Sequence, residues 1–192
     1  MNTPDPAIPA LETARLRLLP LGDADQQLYV ELYTRPDTMR YIARPLTREK
    51  AVAYFKRAVH RQSEPSPGGK VFVIEEKSTQ HRLGICATAN FDGQAASIET
   101  GVMLLPPFHA QGYAREALTA LVDGIFTHAP VDEVWVQFSG LSLAAARLSE
   151  RVGLRPPASA PQDIGALCMR TWSIRKTMWR LQQQPDSTLP QR

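Results

Sequence analysis

Gly112 and Ala114 are two small residues separated by one other, Tyr113. They fall where an extended apolar run, Gly101 to Leu105, is broken by Pro106 and Pro107 and gives way to a helical run. A helix start leaves backbone N–H groups without intrahelical partners and carries a partial positive charge. Successive amides at such a start form a cradle for an anion such as a pyrophosphate. Gly112 lets the backbone approach that anion with no Cβ in the way. Ala114 keeps the first turn small, and Arg115 offers a charge-assisted contact. The candidate anion-binding residues are therefore His109, Ala110, Gln111, Gly112, Tyr113, Ala114 and Arg115. A single glycine before a helix also serves as a plain turn, so the junction alone leaves both readings open.

Two further positions stand near this junction. Glu99 lies in the strand-like run that feeds the loop, flanked by Ile98 and Thr100. A carboxylate there is a candidate proton acceptor if it faces a cleft; a solvated strand residue or a substrate anchor is the alternative. Ser142 opens a later helical stretch and has the chemistry of an N-cap. His60, His81, His109 and His128 show no metal-ligand spacing, so no metal site is expected.

The elements that must position these residues follow from periodicity and breakers. Thr13 to Leu19 alternates basic and apolar residues and predicts a strand. A helix is expected from Asp23 to about Tyr33, ended by Pro36. A second begins at Thr47, with Ala51, Tyr54, Phe55, Ala58 and Val59 as its apolar stripe. Ser63 to Lys70, with its prolines and glycines, is a loop. Val71–Ile74 reads as a central strand. Leu83 to Phe91 and Ala95 to Leu105 form a hairpin about Asp92-Gly93. The long helix runs from about Gln111 to His128, followed by a strand at Val131–Phe138. A helix from Ser142 to Val152 stops at Gly153, and a last strand covers Leu167 to Ile174. This order predicts an α/β fold, a mixed and mostly antiparallel twisted sheet of about six or seven strands with helices on both faces. Residues 1–10 read as a flexible lead-in, 11–182 as one domain and 183–192 as a disordered tail.

Composition sets the outer bounds. The chain has 192 residues, 43% hydrophobic and 21% charged, enough to build one core. Its net charge of +3 is too small, and its basic residues too dispersed, to predict nucleic-acid binding. No apolar stretch is long enough to span a membrane, and the N-terminus lacks the pattern of a signal peptide. A cytoplasmic location is the resulting expectation. Cys86 and Cys168 both sit in apolar runs and read as reduced core thiols.

Several spaced segments together resemble a known family. Gly101-Val102-Met103-Leu104, then Pro106, then His109-Ala110-Gln111-Gly112-Tyr113-Ala114-Arg115 is similar to the acetyl-CoA motif of the GNAT superfamily of N-acetyltransferases, Gln/Arg-x-x-Gly-x-Gly/Ala. Gly112 and Ala114 match its two small positions, whereas His109 stands where Gln or Arg is usual. Leu11 to Leu18 and Pro36 to Tyr41 resemble the ribosomal-protein N-terminal (alanine/serine) acetyltransferase-like branch. The resemblance spans about residues 11–180.

The resemblance implies a V-shaped gap beside the strand ending at Leu105. Pantetheine would lie there against backbone groups of Val102, Met103 and Leu104. It implies acetyl-CoA as co-substrate, no metal, and a primary amine as acceptor: a protein N-terminus, an aminoglycoside or a small polyamine. Glu99 becomes the candidate base for the amine proton, and the N–H near Met103 or Leu104 the candidate oxyanion donor. Ser142 and Ala145 occupy the family's Asn and Ser positions. No Tyr lies between Ser139 and Leu154 to act as the acid some members use. Ser142 is then either a catalytic or pantetheine-binding hydroxyl or only a helix cap. Tyr41, Arg44 and the 63–70 loop are expected to shape the acceptor pocket. A non-catalytic acyl-CoA-binding module and a cofactor-free interaction domain are the rival readings. A homodimer is left open.

Overall fold

The computed structural model describes residues 8–158 and 169–183. A seven-stranded sheet has its strands in sequence order, from β1 (Leu11–Glu12) and β2 (Leu16–Pro20) through β3 (Val71–Glu76), β4 (Arg82–Asp92) and β5 (Ser97–Leu104) to β6 (Glu133–Ser139) and β7 (Met169–Arg175). Every pairing is antiparallel except β5 with β6. That parallel pair needs a crossover, supplied by α4 (Tyr113–His128).

One sheet face is covered by α1 (Gln26–Thr34) and α3 (Arg48–Arg61), joined through the short α2 (Pro36–Met39). The other carries α4, α5 (Leu143–Val152) and α6 (Lys176–Gln183). Strand alternation assigns the core accordingly. In β3, Phe72 and Ile74 pack toward α4, while Val71 and Val73 pack toward α1 and α3. Burial on both faces explains why β3 is a continuous apolar run.

Caps match the residue types. Thr47 Oγ1 accepts from the Lys50 amide at the start of α3, and Gly153 ends α5 at φ +106°. The expected opening strand instead bends. The Thr13 N–H donates to Leu16 O at 2.9 Å and the Thr13 hydroxyl accepts from the Leu16 N–H, splitting the stretch into β1 and β2. Pro36 stops one helix and starts another, since proline fits the first helical turn. Ile8, within the expected flexible lead-in, is buried in the core. Helix α6 answers to no expected element; Trp179 anchors it on Phe126 and donates to Asp123 Oδ1 at 3.1 Å. Cys168 lies outside the described residues, as does residue 167 of the expected last strand. Cys86 is fully buried, and burial pushes its thiol pKa up.

Candidate active site

The gap begins where pairing between β5 and β6 stops. The two strands are in register at Ser97↔Glu133, Ile98↔Val134 and Glu99↔Trp135, and no further. Beyond that rung β5 continues to Leu104 and β6 to Ser139, so the strands splay. The open stretch of β5 is roughly 16 Å long at the usual strand rise.

Register decides which backbone groups face this gap. Leu105 N–H donates to Leu83 O at 2.9 Å, and the β4–β5 register is regular from Leu104 back to Glu99. Antiparallel alternation then turns Gly101 and Met103 toward β4, and Thr100, Val102 and Leu104 toward the gap. The three residues expected to line it therefore divide: Val102 and Leu104 present backbone groups there, whereas the Met103 backbone faces β4. The Met103 side chain packs on the α1/α3 face.

The loop after β5 is shaped by two left-handed residues, Ala110 at φ +58° and Gly112 at φ +83°. The second suits glycine; the first is strained for alanine. Among the described residues, the amides of Ala110, Gln111, Gly112, Tyr113, Ala114 and Arg115 donate to no protein acceptor, and the first helical bond is Glu116 N–H to Gly112 O at 3.1 Å. This is a row of unpaired donors at the positive end of a sixteen-residue helix. His109 stands apart from that row. Its N–H donates to Pro106 O at 3.1 Å and its ring Nε2 lies 2.9 Å from Leu104 O. A carbonyl only accepts, so Nε2 carries the proton. The Gln111 side chain likewise turns back, to Pro107 O at 2.7 Å.

Glu99 is half-buried at the apex of the gap, level with Trp135. Alternation places its side chain on the same sheet face as Met103, under α1 and α3. Asn90 Nδ2 donates to Glu99 Oε2. Asn90 itself sits at φ +45° in an irregular stretch of β4, where the register shifts between Ala89 and Asp92. Such irregularities re-aim side chains. Ser142 is buried, and its Oγ accepts from the Ala145 amide at 3.3 Å. That is an N-cap.

An open cleft of about 540 Å³ lies where β6 ends, lined by Arg40, Tyr41, Ile42, Ala43, Ser139, Leu141 and Met169. The Arg40 guanidinium rests 5.2 Å from the centre of the Tyr41 ring. Neither Arg44 nor the 63–70 loop lines this cleft. That loop is held elsewhere: Lys70 Nζ donates to the carbonyls of Arg61, Gln62 and Glu64.

One cluster escaped sequence reading. Glu116 gathers Thr13 Oγ1 at 2.6 Å, the Arg15 amide at 2.9 Å and Arg15 Nε at 2.7 Å, tying the β1–β2 bend to the first turn of α4. Burial raises the Glu116 pKa, but these donors outweigh it and hold the carboxyl below its ordinary value. Tyr113 OH donates to Glu76, which lifts the phenol pKa; Glu76 is held low by Thr79 first and Tyr113 second. Thr13 and Arg15 lie 103 and 101 residues from Glu116, and Glu76 lies 37 from Tyr113, so no local pattern announces these contacts; the signal for the first is the polar pair Thr13 and Arg15 at the foot of a buried strand.

The sheet is open and mostly antiparallel, splays between two parallel strands and is followed by an amide-rich helix start. The acetyltransferase (GNAT) domain family matches residues 15–155, and the chain belongs to that family. Among curated proteins it is 24% identical to the FsC-acetyl coenzyme A-N(2)-transacetylase of Aspergillus fumigatus, over 95% of this chain and 83% of that protein. Among solved structures it shares its fold with spermidine N-acetyltransferase from Vibrio cholerae in complex with CoA and spermine. The TM-score is 0.74 at 16% identity, over 88% of this chain and 99% of that one. It also resembles the RimL ribosomal L7/L12 alpha-N-protein acetyltransferase in complex with coenzyme A. Here the TM-score is 0.72 at 10% identity, over 86% and 97% of the two chains. No described helix is long and apolar enough to cross a membrane. No group of three or more candidate metal ligands occurs among the described residues.

Proposed function

We propose that this chain moves an acetyl group from acetyl-CoA to a primary amine by direct attack of the amine, with no acyl-enzyme. The observation that carries this reading is the row of unpaired amides from Ala110 to Arg115 at the mouth of the β5–β6 gap. Together with Gly112 and the positive end of α4, that row suits the pyrophosphate of CoA. The gap-facing groups of Val102 and Leu104 suit the amides of pantetheine, which would lie along β5 as an added strand.

At the apex, Glu99 takes the proton of the incoming ammonium, directly or through water, because only the free amine has a lone pair to attack with. Asn90 holds one carboxylate oxygen and leaves the other for this role. The gap-facing amide of Val102 donates to the developing oxyanion; Met103 points its amide at β4, and Leu104 lies at the wide end of the gap beside the amide row. Ser142 serves as a helix cap, and the departing thiolate leaves without a dedicated tyrosine acid.

The cleft at Arg40 to Ala43 is the acceptor's approach. It carries a guanidinium and, among its described lining residues, no carboxylate. This favours a peptide N-terminus or a small monoamine over a polycation. The reading fits a branch that acetylates protein N-termini, although an amine on a small metabolite satisfies the same chemistry. We place the chain in the cytoplasm, where acetyl-CoA is available. Release of free CoA thiol across a panel of peptides and amines tests the whole proposal. A non-catalytic acyl-CoA-binding module is favoured by one observation, the commitment of Ser142 to a cap. CoA binding with no thiol release across the panel would establish that alternative.

A further inference from the structure

Arg15 stands on the β1–β2 bend, far from the 109–115 loop in sequence, yet it touches two residues of that loop. Its NH1 donates to Gln111 O at 3.2 Å, and its guanidinium carbon lies 4.5 Å from the centre of the Tyr113 ring. A Cβ built on Gly112 would lie 3.3 Å from Arg15 NH2. Nε and NH2 both reach Glu116 Oε2 at 2.7 Å, so the fork is fixed at its far edge by a residue of α4 itself.

We propose that Arg15, clasped by Glu116, is a positioning residue for the amide cradle, an inference that rests on the acetyl-CoA reading of that loop. All described peptide bonds are trans. In a trans peptide the C=O of one residue and the N–H of the next point in opposite directions. Arg15 pulls the Gln111 carbonyl to its own side and thereby turns the Gly112 N–H to the other. The loop has little intrinsic reason to stay there, because Ala110 at φ +58° occupies a region that costs an L-residue about 1 kcal/mol or more. Stacking on Tyr113 fixes the next residue. The Glu116 carboxylate, held by Thr13 and by the Arg15 backbone as well, keeps the fork from swinging away.

The fork is what matters, not the charge alone. Lysine carries the charge but presents no planar set of donors. The test measures CoA binding by calorimetry, steady-state constants, and amide hydrogen exchange of residues 110–115 without ligand, in wild type, Arg15→Ala, Arg15→Lys and Glu116→Gln. Arg15→Ala is expected to weaken CoA binding about tenfold or more. It should raise KM for acetyl-CoA, leave kcat and the acceptor KM within about twofold, and speed exchange across the loop. Arg15→Lys should behave like Arg15→Ala, and Glu116→Gln should reproduce the effect without touching the guanidinium. Full affinity in Arg15→Lys, or unchanged loop exchange in Arg15→Ala, overturns the inference while leaving the cofactor reading intact. Wild-type protein that does not bind CoA overturns the cofactor reading and this inference with it.

Discussion

Glu99 and Trp135 form the last rung of the parallel ladder between β5 and β6, and the sheet opens immediately beyond them. The carboxylate thus stands at the narrow end of the gap, with the amide row at its wide end beyond Leu104. A cofactor bound by its pyrophosphate at one end would deliver its thioester toward the other. Glu99→Gln removes the proposed proton acceptor but keeps the hydrogen bond with Asn90 feasible. The expected result is a fall in kcat of about 100-fold, with the Kd for acetyl-CoA unchanged by calorimetry. Retention of wild-type kcat would remove Glu99 from the mechanism.

A side chain at Gly112 meets two separate obstacles. Its φ of +83° is strained for an L-residue, and a Cβ would crowd Arg15. A carboxylate there adds repulsion toward a pyrophosphate. Gly112→Glu is expected to abolish measurable CoA binding while the far-ultraviolet circular dichroism stays that of wild type. Binding at wild-type affinity would dissociate the loop from the cofactor.

Ser142 separates the two readings of the α5 start. As a cap only, its loss costs the bond to Ala145. Ser142→Ala should lower stability by about 1 kcal/mol in denaturant titration and leave kcat within about twofold. A loss of kcat of about 100-fold with unchanged stability would return Ser142 to the catalytic set.

The pH dependence of the clasp has a defined sign. Glu116 has a folded pKa depressed below its ordinary 4.5. Its contribution is therefore present above 4.5 and is lost as pH falls through the lower folded value. The Tm difference between wild type and Glu116→Gln should be steady from neutral pH to about 5 and close on further acidification. A difference that persists well below that window would mean the carboxylate charge is not what holds Thr13 and Arg15.

The order of elements was legible because periodicity and breakers are local. The Pro106-Pro107 stop, the Gly153 stop and the Thr47 cap each read directly from residue type. The loop itself was legible for the same reason, since a glycine two residues before Ala114 is a local pattern. What was hidden is non-local. No feature near Arg15 says that it meets Gln111 and Glu116, because that contact depends on α4 crossing back over β1 and β2. Which of Val102, Met103 and Leu104 faces the gap depends on the register with β4, which the composition of β5 alone does not set. Helix α6 was missed because Trp179 has its apolar partner, Phe126, on another helix.

Acetyl transfer as proposed requires the amides of Ala110 to Arg115 to serve as the cofactor's anion site. The most direct measurement is the amide chemical shift of each of these residues by NMR as CoA is added to saturation. The predicted result is a large, saturable shift confined to these residues and to the gap-facing amides of Val102 and Leu104. The contradicting result is CoA that binds elsewhere, or does not bind, while the resonances of residues 110–115 stay where they were.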